Sequence, residues 1–151
     1  MAGDDGLPGS AAAGVALSFV IPAYNEERLL GATLARIAAV RAALPEWPGE
    51  VIVVDNNSTD ATAAIARAAG ASVVFAPRNC IAAARNAGAR QARGRFLMFV
   101  DADTLISPEL VSAALSALAS GRFCGGGTTV AFDRADLPPA ARFCTWLWHR
   151  L

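Results

Sequence analysis

Phe96-Leu97-Met98-Phe99-Val100-Asp101-Ala102-Asp103 drives five apolar residues straight into two carboxylates set two residues apart. The apolar part reads as a fully buried strand, because an unbroken run of large side chains leaves no polar face for solvent. Two like charges ~4 Å apart repel by roughly 4 kcal/mol at an effective dielectric near 20. A divalent cation beside them turns that cost into a site for an oxygen-seeking metal. Mg²⁺ or Mn²⁺ held by so few carboxylates usually also holds ligand phosphates, so the triplet reads as a metal–diphosphate site. A D-x-D triplet arises easily by chance; its weight here comes from its place between an apolar strand and a capped helix.

Outward from that stretch, apolar runs alternate with helical patterns, the signature of an α/β protein with a mostly parallel sheet flanked by helices. Leu17-Ser18-Phe19-Val20-Ile21 reads as the first strand, stopped by Pro22. Asn25 reads as the cap of a helix with Glu26 and Glu27 in its first turn and Leu30, Leu34, Ile37, Val40 and Leu44 on its apolar face. Val51-Ile52-Val53-Val54 is the second strand, ending at Asp55. Ser58 is expected to cap a helix over residues 59–69 that Gly70 stops. Ser72-Val73-Val74-Phe75 is the third strand, followed by an Ala-rich helix over residues 79–93 whose Gly88 should allow close approach to the sheet. Arg95–Val100 is the fourth strand. Ser107 and Pro108 open another helix, with Leu110, Val111, Ala114, Leu115 and Leu118 buried and Gly121 at its end. Phe123–Phe132 is expected to be extended, and residues 138–150 to form a short helix.

The 151 residues suffice for one domain with a real core, and 54% hydrophobic against 17% charged residues argues against disorder. Acidic and basic residues balance at 13 each, so nothing points to a nucleic-acid or membrane-surface binder. Every basic residue is Arg, which reads as coding bias. Cys80, Cys124 and Cys144 form no C-x-x-C pair, which disfavours structural zinc or a disulfide framework; reduced thiols in a cytoplasmic protein are the simpler reading. Residues 1–16 read as a flexible tail rather than a signal peptide. No window reaches the ~18 apolar residues of a membrane span.

Three polar clusters follow the carboxyl ends of strands: Pro22-Ala23-Tyr24-Asn25-Glu26, Asp55-Asn56-Asn57-Ser58 and Asp101-Ala102-Asp103. In open parallel sheets that edge is where ligands bind. One such cluster is ordinary turn chemistry; three on one edge suggest a site. Alternatives stay open for single residues. Asp55–Asp60 suits a turn plus a helix cap. Tyr24 suits half-buried packing or stacking on a base. Arg85 suits a solvated helix face or a phosphate ligand, and Asn86 and Gly88 suit close packing alone. His149 has no acids nearby to make it catalytic. No G-x-G-x-x-G follows the first strand, and no G-x-x-x-x-G-K-[ST] occurs, which disfavours dinucleotide cofactors and P-loop chemistry.

Phe19-Val20-Ile21-Pro22-Ala23-Tyr24-Asn25-Glu26, Val53-Val54-Asp55-Asn56-Asn57-Ser58-Thr59-Asp60, Ala84-Arg85-Asn86-Ala87-Gly88 and Phe99-Val100-Asp101-Ala102-Asp103, in this order and spacing, resemble the family 2 glycosyltransferases of GT-A fold. The resemblance runs from about residue 17 to residue 120. It implies a hexosyltransferase-type enzyme that moves a sugar from a nucleotide-diphosphate donor to an acceptor hydroxyl with inversion, using Mn²⁺ or Mg²⁺. Carried over by position, Pro22, Tyr24 and Glu26 line the nucleoside pocket, and Val54 and Asn56 meet the base. Asn56 stands where the family often has a second Asp. Asp101, Ala102 and Asp103 complete the donor site, the two acids hold the metal, and Arg85 assists at the diphosphate.

Family members continue well past this chain's end, where they place the acceptor surface and the general base. The only acids after Glu109 are Asp133 and Asp136, and neither matches that base. Residues 17–151 are therefore expected to form a GT-A nucleotide-sugar-binding domain, incomplete at its C-terminus. Trp146 and Trp148 are expected to pack against the missing portion or to drive self-association. The acceptor (saccharide, lipid or protein) is unspecified, and the expected location is cytoplasmic, with a peripheral place at the inner face of the membrane open. Two other readings stand beside this one. A non-catalytic nucleotide- or partner-binding module would lack the base, and a nucleotidyltransferase would need a Gly-rich phosphate loop that Pro22-Ala23-Tyr24-Asn25 is not.

Overall fold

The structure, a computed structural model, describes residues 14–128. Its elements are β1 (Leu17–Ala23), α1 (Leu30–Ala43), β2 (Gly49–Asp55), α2 (Thr62–Ala68), β3 (Ser72–Phe75), α3 (Ile81–Gln91), β4 (Phe96–Phe99) and α4 (Pro108–Ala119). The strands form one sheet in the order β3-β2-β1-β4, with every pair parallel. The α/β architecture expected from the sequence is the one observed.

Strand alternation divides the core in two. Leu17, Phe19, Ile21 and Ala23 join Val53, the α1 stripe Leu30, Leu34, Ile37 and Val40, and Val111 and Leu115 of α4. Val20, Ile52 and Val54 face the other way, against Ala84 of α3. So α1, α2 and α4 cover one face and α3 the other. The fit under α3 is tight. A Cβ on Gly88 would come within 2.4 Å of Val20 Cγ1 and 2.8 Å of Val54 Cγ2, so only glycine lets this helix lie so close.

Strand order reverses at β1, with β2 and β3 on one side and β4 on the other. The loops leaving β1 and β4 lie side by side there at the carboxyl end of the sheet and run to α1 and α4 on the same face, the edge where open parallel sheets bind ligands. Two of the three polar clusters lie in those loops, and the third follows β2 next door.

Several local expectations need correction. Pro22 does not stop β1, which runs on to Ala23 with Pro22 opposite Val54. Val20 is the last β1 residue paired with β4, so the ring of Pro22, two positions on, meets no ladder that needs an N–H. Asn25 caps no helix. It is left-handed (φ 55°), α1 starts at Leu30, and Leu29 in the cap position makes no side-chain bond. Ser58 does not cap α2 either, because α2 begins only at Thr62. The Ala-rich helix is Ile81–Gln91, shorter than residues 79–93. β4 is not fully buried: Leu97 and Phe99 are 41% and 45% exposed. β4 is the sheet edge among the described residues, and its α3-side residues lie beyond the helix's cover.

Val15 and Ala16 precede β1 but are hydrogen-bonded to the segments on either side of it. Arg95 and Phe96 donate to their carbonyls, and Ala16 donates to Pro48. Ser107 Oγ does accept from Leu110 N–H at 3.3 Å with Pro108 opening α4, as the sequence indicates. Residues 123–128 carry no strand. The rest of that expected extended stretch, the expected helix over 138–150, and Asp133, Asp136, Cys144, Trp146, Trp148 and His149 lie outside the described residues, as do residues 1–13. No helix among the described residues is long and apolar enough to cross a membrane.

Candidate donor-binding site

The β1–α1 and β2–α2 loops are knitted together by side chains. Asn25 N–H donates to Ser58 Oγ (3.1 Å), Glu26 N–H to Thr62 Oγ1 (2.8 Å) and Glu27 N–H to Asp60 Oδ2 (3.0 Å). In return Thr59 N–H donates to Asn25 Oδ1 (2.8 Å) and Ala61 N–H to Glu27 Oε2 (3.1 Å). Asp55 Oδ1 takes Ser58 N–H at 2.9 Å, and Asn57 turns the chain with φ 67°. The residues that read as helix caps thus accept backbone N–H groups of the opposite loop, and the result is a stiff rim. Asp60 also accepts from the Thr62 backbone and hydroxyl. Burial pushes its carboxyl up, but these bonds outweigh it and hold the group below its ordinary value.

The acid turn follows β4. Val100 N–H gives the last ladder bond, to Val20 O (3.1 Å), and Thr104 N–H closes the turn on Asp101 O (3.0 Å). Ala102 points inward and is buried, while Asp101 and Asp103 are exposed. Arg85, reaching from α3, sets Nη2 2.7 Å from Asp101 Oδ1, with the two side chains 39% and 54% exposed. Arg85 Nε is buried and has no hydrogen-bond partner. Asp103 has no ion pair among the described residues; it accepts only from Thr104 Oγ1, at 3.5 Å.

Glu26 connects the two loops electrostatically. Its carboxyl is raised above the ordinary glutamate value, first by burial, then by the charges of Asp103 and Asp60. One acid of this rim therefore feels two others, while Arg85 is engaged at Asp101.

The remaining expected site residues divide. Tyr24, just past the end of β1, is 44% exposed. Pro22 is buried just behind it. Val54 is wholly buried beneath Gly88, so its side chain lies under this edge of the sheet. Asn56 is nearly buried with its amide already used. Oδ1 accepts from Cys80 N–H (3.2 Å) at the start of α3, and Nδ2 donates to Asn79 Oδ1 (3.3 Å). In this arrangement Asn56 ties the segment leading into α3 to the end of β2. Cys80 and Cys124 are free thiols.

Two supporting residues escaped the sequence reading: Thr62 and Thr33. Thr33 left a signal, being a polar residue on the apolar stripe of α1. Its hydroxyl donates to Ala102 O at 2.7 Å.

No third His, Cys, Asp or Glu joins Asp101 and Asp103 in a ligand cluster among the described residues. Two exposed carboxylates with room for water and phosphate oxygens suit Mg²⁺ or Mn²⁺, which rarely occupy all-protein cages.

The family model described as Glycosyl transferase family 2 matches residues 18–149. A validoxylamine A glucosyltransferase of Streptomyces hygroscopicus is 37% identical over 117 residues, 74% of this chain and 27% of that protein. Among solved structures, Staphylococcus aureus TarS 1-349 in complex with UDP-GlcNAc superposes with a TM-score of 0.59 at 27% identity, over 76% of this chain and 37% of TarS. Glucosyl-3-phosphoglycerate synthase of Mycobacterium tuberculosis, in complex with Mn²⁺, UDP and glucosyl-3-phosphoglycerate, gives a TM-score of 0.57 at 31% identity, over 73% of this chain and 42% of the synthase. The chain therefore spans less than half the length of these relatives.

Proposed function

Because this chain belongs to glycosyl transferase family 2, we propose that it forms the donor-binding part of an inverting glycosyltransferase of the hexosyltransferase type. Its donor is a nucleotide-diphosphate sugar, and its acceptor is a saccharide, lipid or protein hydroxyl. The carrying observation is the pair of outward-facing acids, Asp101 and Asp103, at the point where strand order reverses, beside the stiffened Tyr24–Glu26 loop. The Mn²⁺-and-UDP complex of the mycobacterial synthase supports the same class of ligand here.

In this reading Tyr24 offers its ring to the nucleoside, with Pro22 shaping the wall behind it. The backbone around Glu26 is held by Thr62 and Asp60, so the pocket keeps its shape before the donor arrives. Asp101 and Asp103 would hold a Mn²⁺ or Mg²⁺ ion. Such an ion supplies positive charge to the diphosphate as it leaves the sugar. Arg85 balances Asp101 and carries donors suited to phosphate oxygens. No residue of this chain is assigned as the base for the acceptor hydroxyl. Cytoplasmic location, with or without peripheral membrane contact, fits such a donor.

The test is thermal stability with UDP, GDP, ADP or TDP, with and without Mn²⁺. A nucleotide at about 100 times its Kd stabilises by about 2.7 kcal/mol, a rise of roughly 5–10 °C for a domain of this size. The rise is expected to be several-fold larger with Mn²⁺ than without it, and Asp103→Ala should remove the metal-dependent part. No metal-dependent rise with any of the four would refute the reading.

A further inference from the structure

We propose that Thr33 is a positioning residue for the acid turn, holding Asp101 and Asp103 in register from inside the core. The inference rests on the donor-site reading above and adds a residue outside the four motif clusters.

Thr33 lies in the first turns of α1, 1% exposed, between Leu30, Leu34 and Ile37. A helical threonine normally returns its hydroxyl to its own helix, to a carbonyl three or four residues back. Here the hydroxyl leaves α1 and donates to Ala102 O at 2.7 Å, across 69 positions of sequence. Ala102 is the residue between the two acids. Its methyl is 4% exposed, and its carbonyl takes this buried bond. The peptide that joins the acids is therefore fixed on its inner side by packing and by one hydroxyl.

The outer side follows from that. With Ala102 drawn inward and the turn closed by Thr104 N–H on Asp101 O, both neighbouring side chains emerge at the surface. Without the hydroxyl, the Ala102 carbonyl is left buried and unpaired, and the peptide must rotate to find a donor. That rotation changes the relative direction of the acids and leaves the Tyr24–Glu26 loop untouched, because that loop is held by Ser58, Asp60 and Thr62. Thr33 thus governs diphosphate and metal capture while the nucleoside pocket stays as it is.

The experiment is titration calorimetry of the full chain with UDP, with and without Mn²⁺, for wild type, Thr33→Val, Thr33→Ser and Ile37→Val. Valine keeps the volume and loses the hydroxyl; serine keeps the hydroxyl. Ile37→Val trims the same buried stripe away from the turn and reports simple destabilisation. Thr33→Val should weaken Mn²⁺-dependent UDP binding by about tenfold, the lower range for a partner that orients metal ligands. Its metal-independent UDP affinity should stay within about twofold of wild type, as should both affinities of Thr33→Ser. Ile37→Val should lower Tm and leave both affinities unchanged. Should Thr33→Val not fold, Thr33→Cys carries the comparison, since a thiol is a weak donor in the same space. Wild-type binding of Mn²⁺ and UDP that Thr33→Val matches, or a loss shared by Thr33→Ser or Ile37→Val, overturns the role of Thr33 alone. A wild type that binds no UDP with Mn²⁺ overturns the donor-site reading and this assignment together.

Discussion

Two arginines, one within α3 and one just past its end, each stand 2.7 Å from a carboxylate at opposite ends of the sheet. At the lower end Arg93 and Glu50 form a closed arrangement. Glu50 Oε2 accepts from Arg93 Nε and Nη2, and Oε1 accepts from Arg93 N–H and Ser18 Oγ. Gly94 N–H completes the set on Ser18 Oγ, so close that a Cβ there would lie 2.5 Å from Ser18 N. The Glu50 side chain is only 12% exposed. At the upper end Arg85 gives Asp101 a single bond, both side chains face solvent, and Arg85 Nε has no partner. The same kind of pair, an arginine with a carboxylate, is built in two ways. Saturated with bonds and shielded, it fastens β2 to the segment that follows α3; at the other end the pair is incomplete and open to solvent.

The sharpest way to break the contrast is Glu50→Ala. It strips partners from Ser18, from the Arg93 backbone and from the Arg93 guanidinium, and should cost about 1–3 kcal/mol in denaturant unfolding. Affinity for UDP with Mn²⁺ should not change.

Arg85→Gln should do the reverse. An exposed pair contributes about 0–1 kcal/mol, so stability stays nearly constant. Binding of UDP with Mn²⁺, read by calorimetry, should weaken by about tenfold, because a charged donor to phosphate is lost.

Acid titration sharpens the contrast further. Burial pushes Glu50 up, but the bonds from Arg93 and Ser18 outweigh it and leave the group below its ordinary value. Its stabilising effect is therefore full above the unfolded glutamate range and lost as pH falls through the lower folded value. Wild type should lose that increment on acidification, and Glu50→Gln should not.

The smallest effect belongs to Glu26, whose carboxyl is raised by burial and by Asp103 and Asp60. Ionised Glu26 opposes folding, so Glu26→Gln should raise the Tm of the nucleotide-free protein near neutral pH by about a degree or two. The gain should vanish as pH falls through the glutamate range, where wild-type Glu26 is itself protonated.

What the sequence could reveal followed from how locally each feature is determined. The strands were legible because β-branched runs such as Val51–Val54 have few other homes, and Gly88 because an Ala-rich helix with a glycine implies close packing. The acid turn was legible from its place after an apolar run. Asn25 and Ser58 misled because a cap and a loop-to-loop bond use the same chemistry, a side-chain oxygen accepting a backbone N–H. Only the spatial meeting of two loops decides the partner. Pro22 misled because its missing N–H matters only where a neighbouring strand continues, and β4 pairs no further than Val20. β4 itself was misread because an edge strand can carry the same apolar run as a central one. Asn56 matched a family position, yet its amide bonds, to Asn79 and the N–H of Cys80, depend on how α3 docks.

The central claim is that the upper rim, and not the lower pair, takes a divalent cation together with a nucleoside diphosphate. Its most direct test is paramagnetic line broadening of backbone amides when Mn²⁺ is added to the UDP-saturated protein. The account predicts loss of signal at residues 101–104 and 24–26, with Glu50, Arg93 and Gly94 unaffected. Broadening centred on Glu50 and Arg93, or none at residues 101–104, would contradict it.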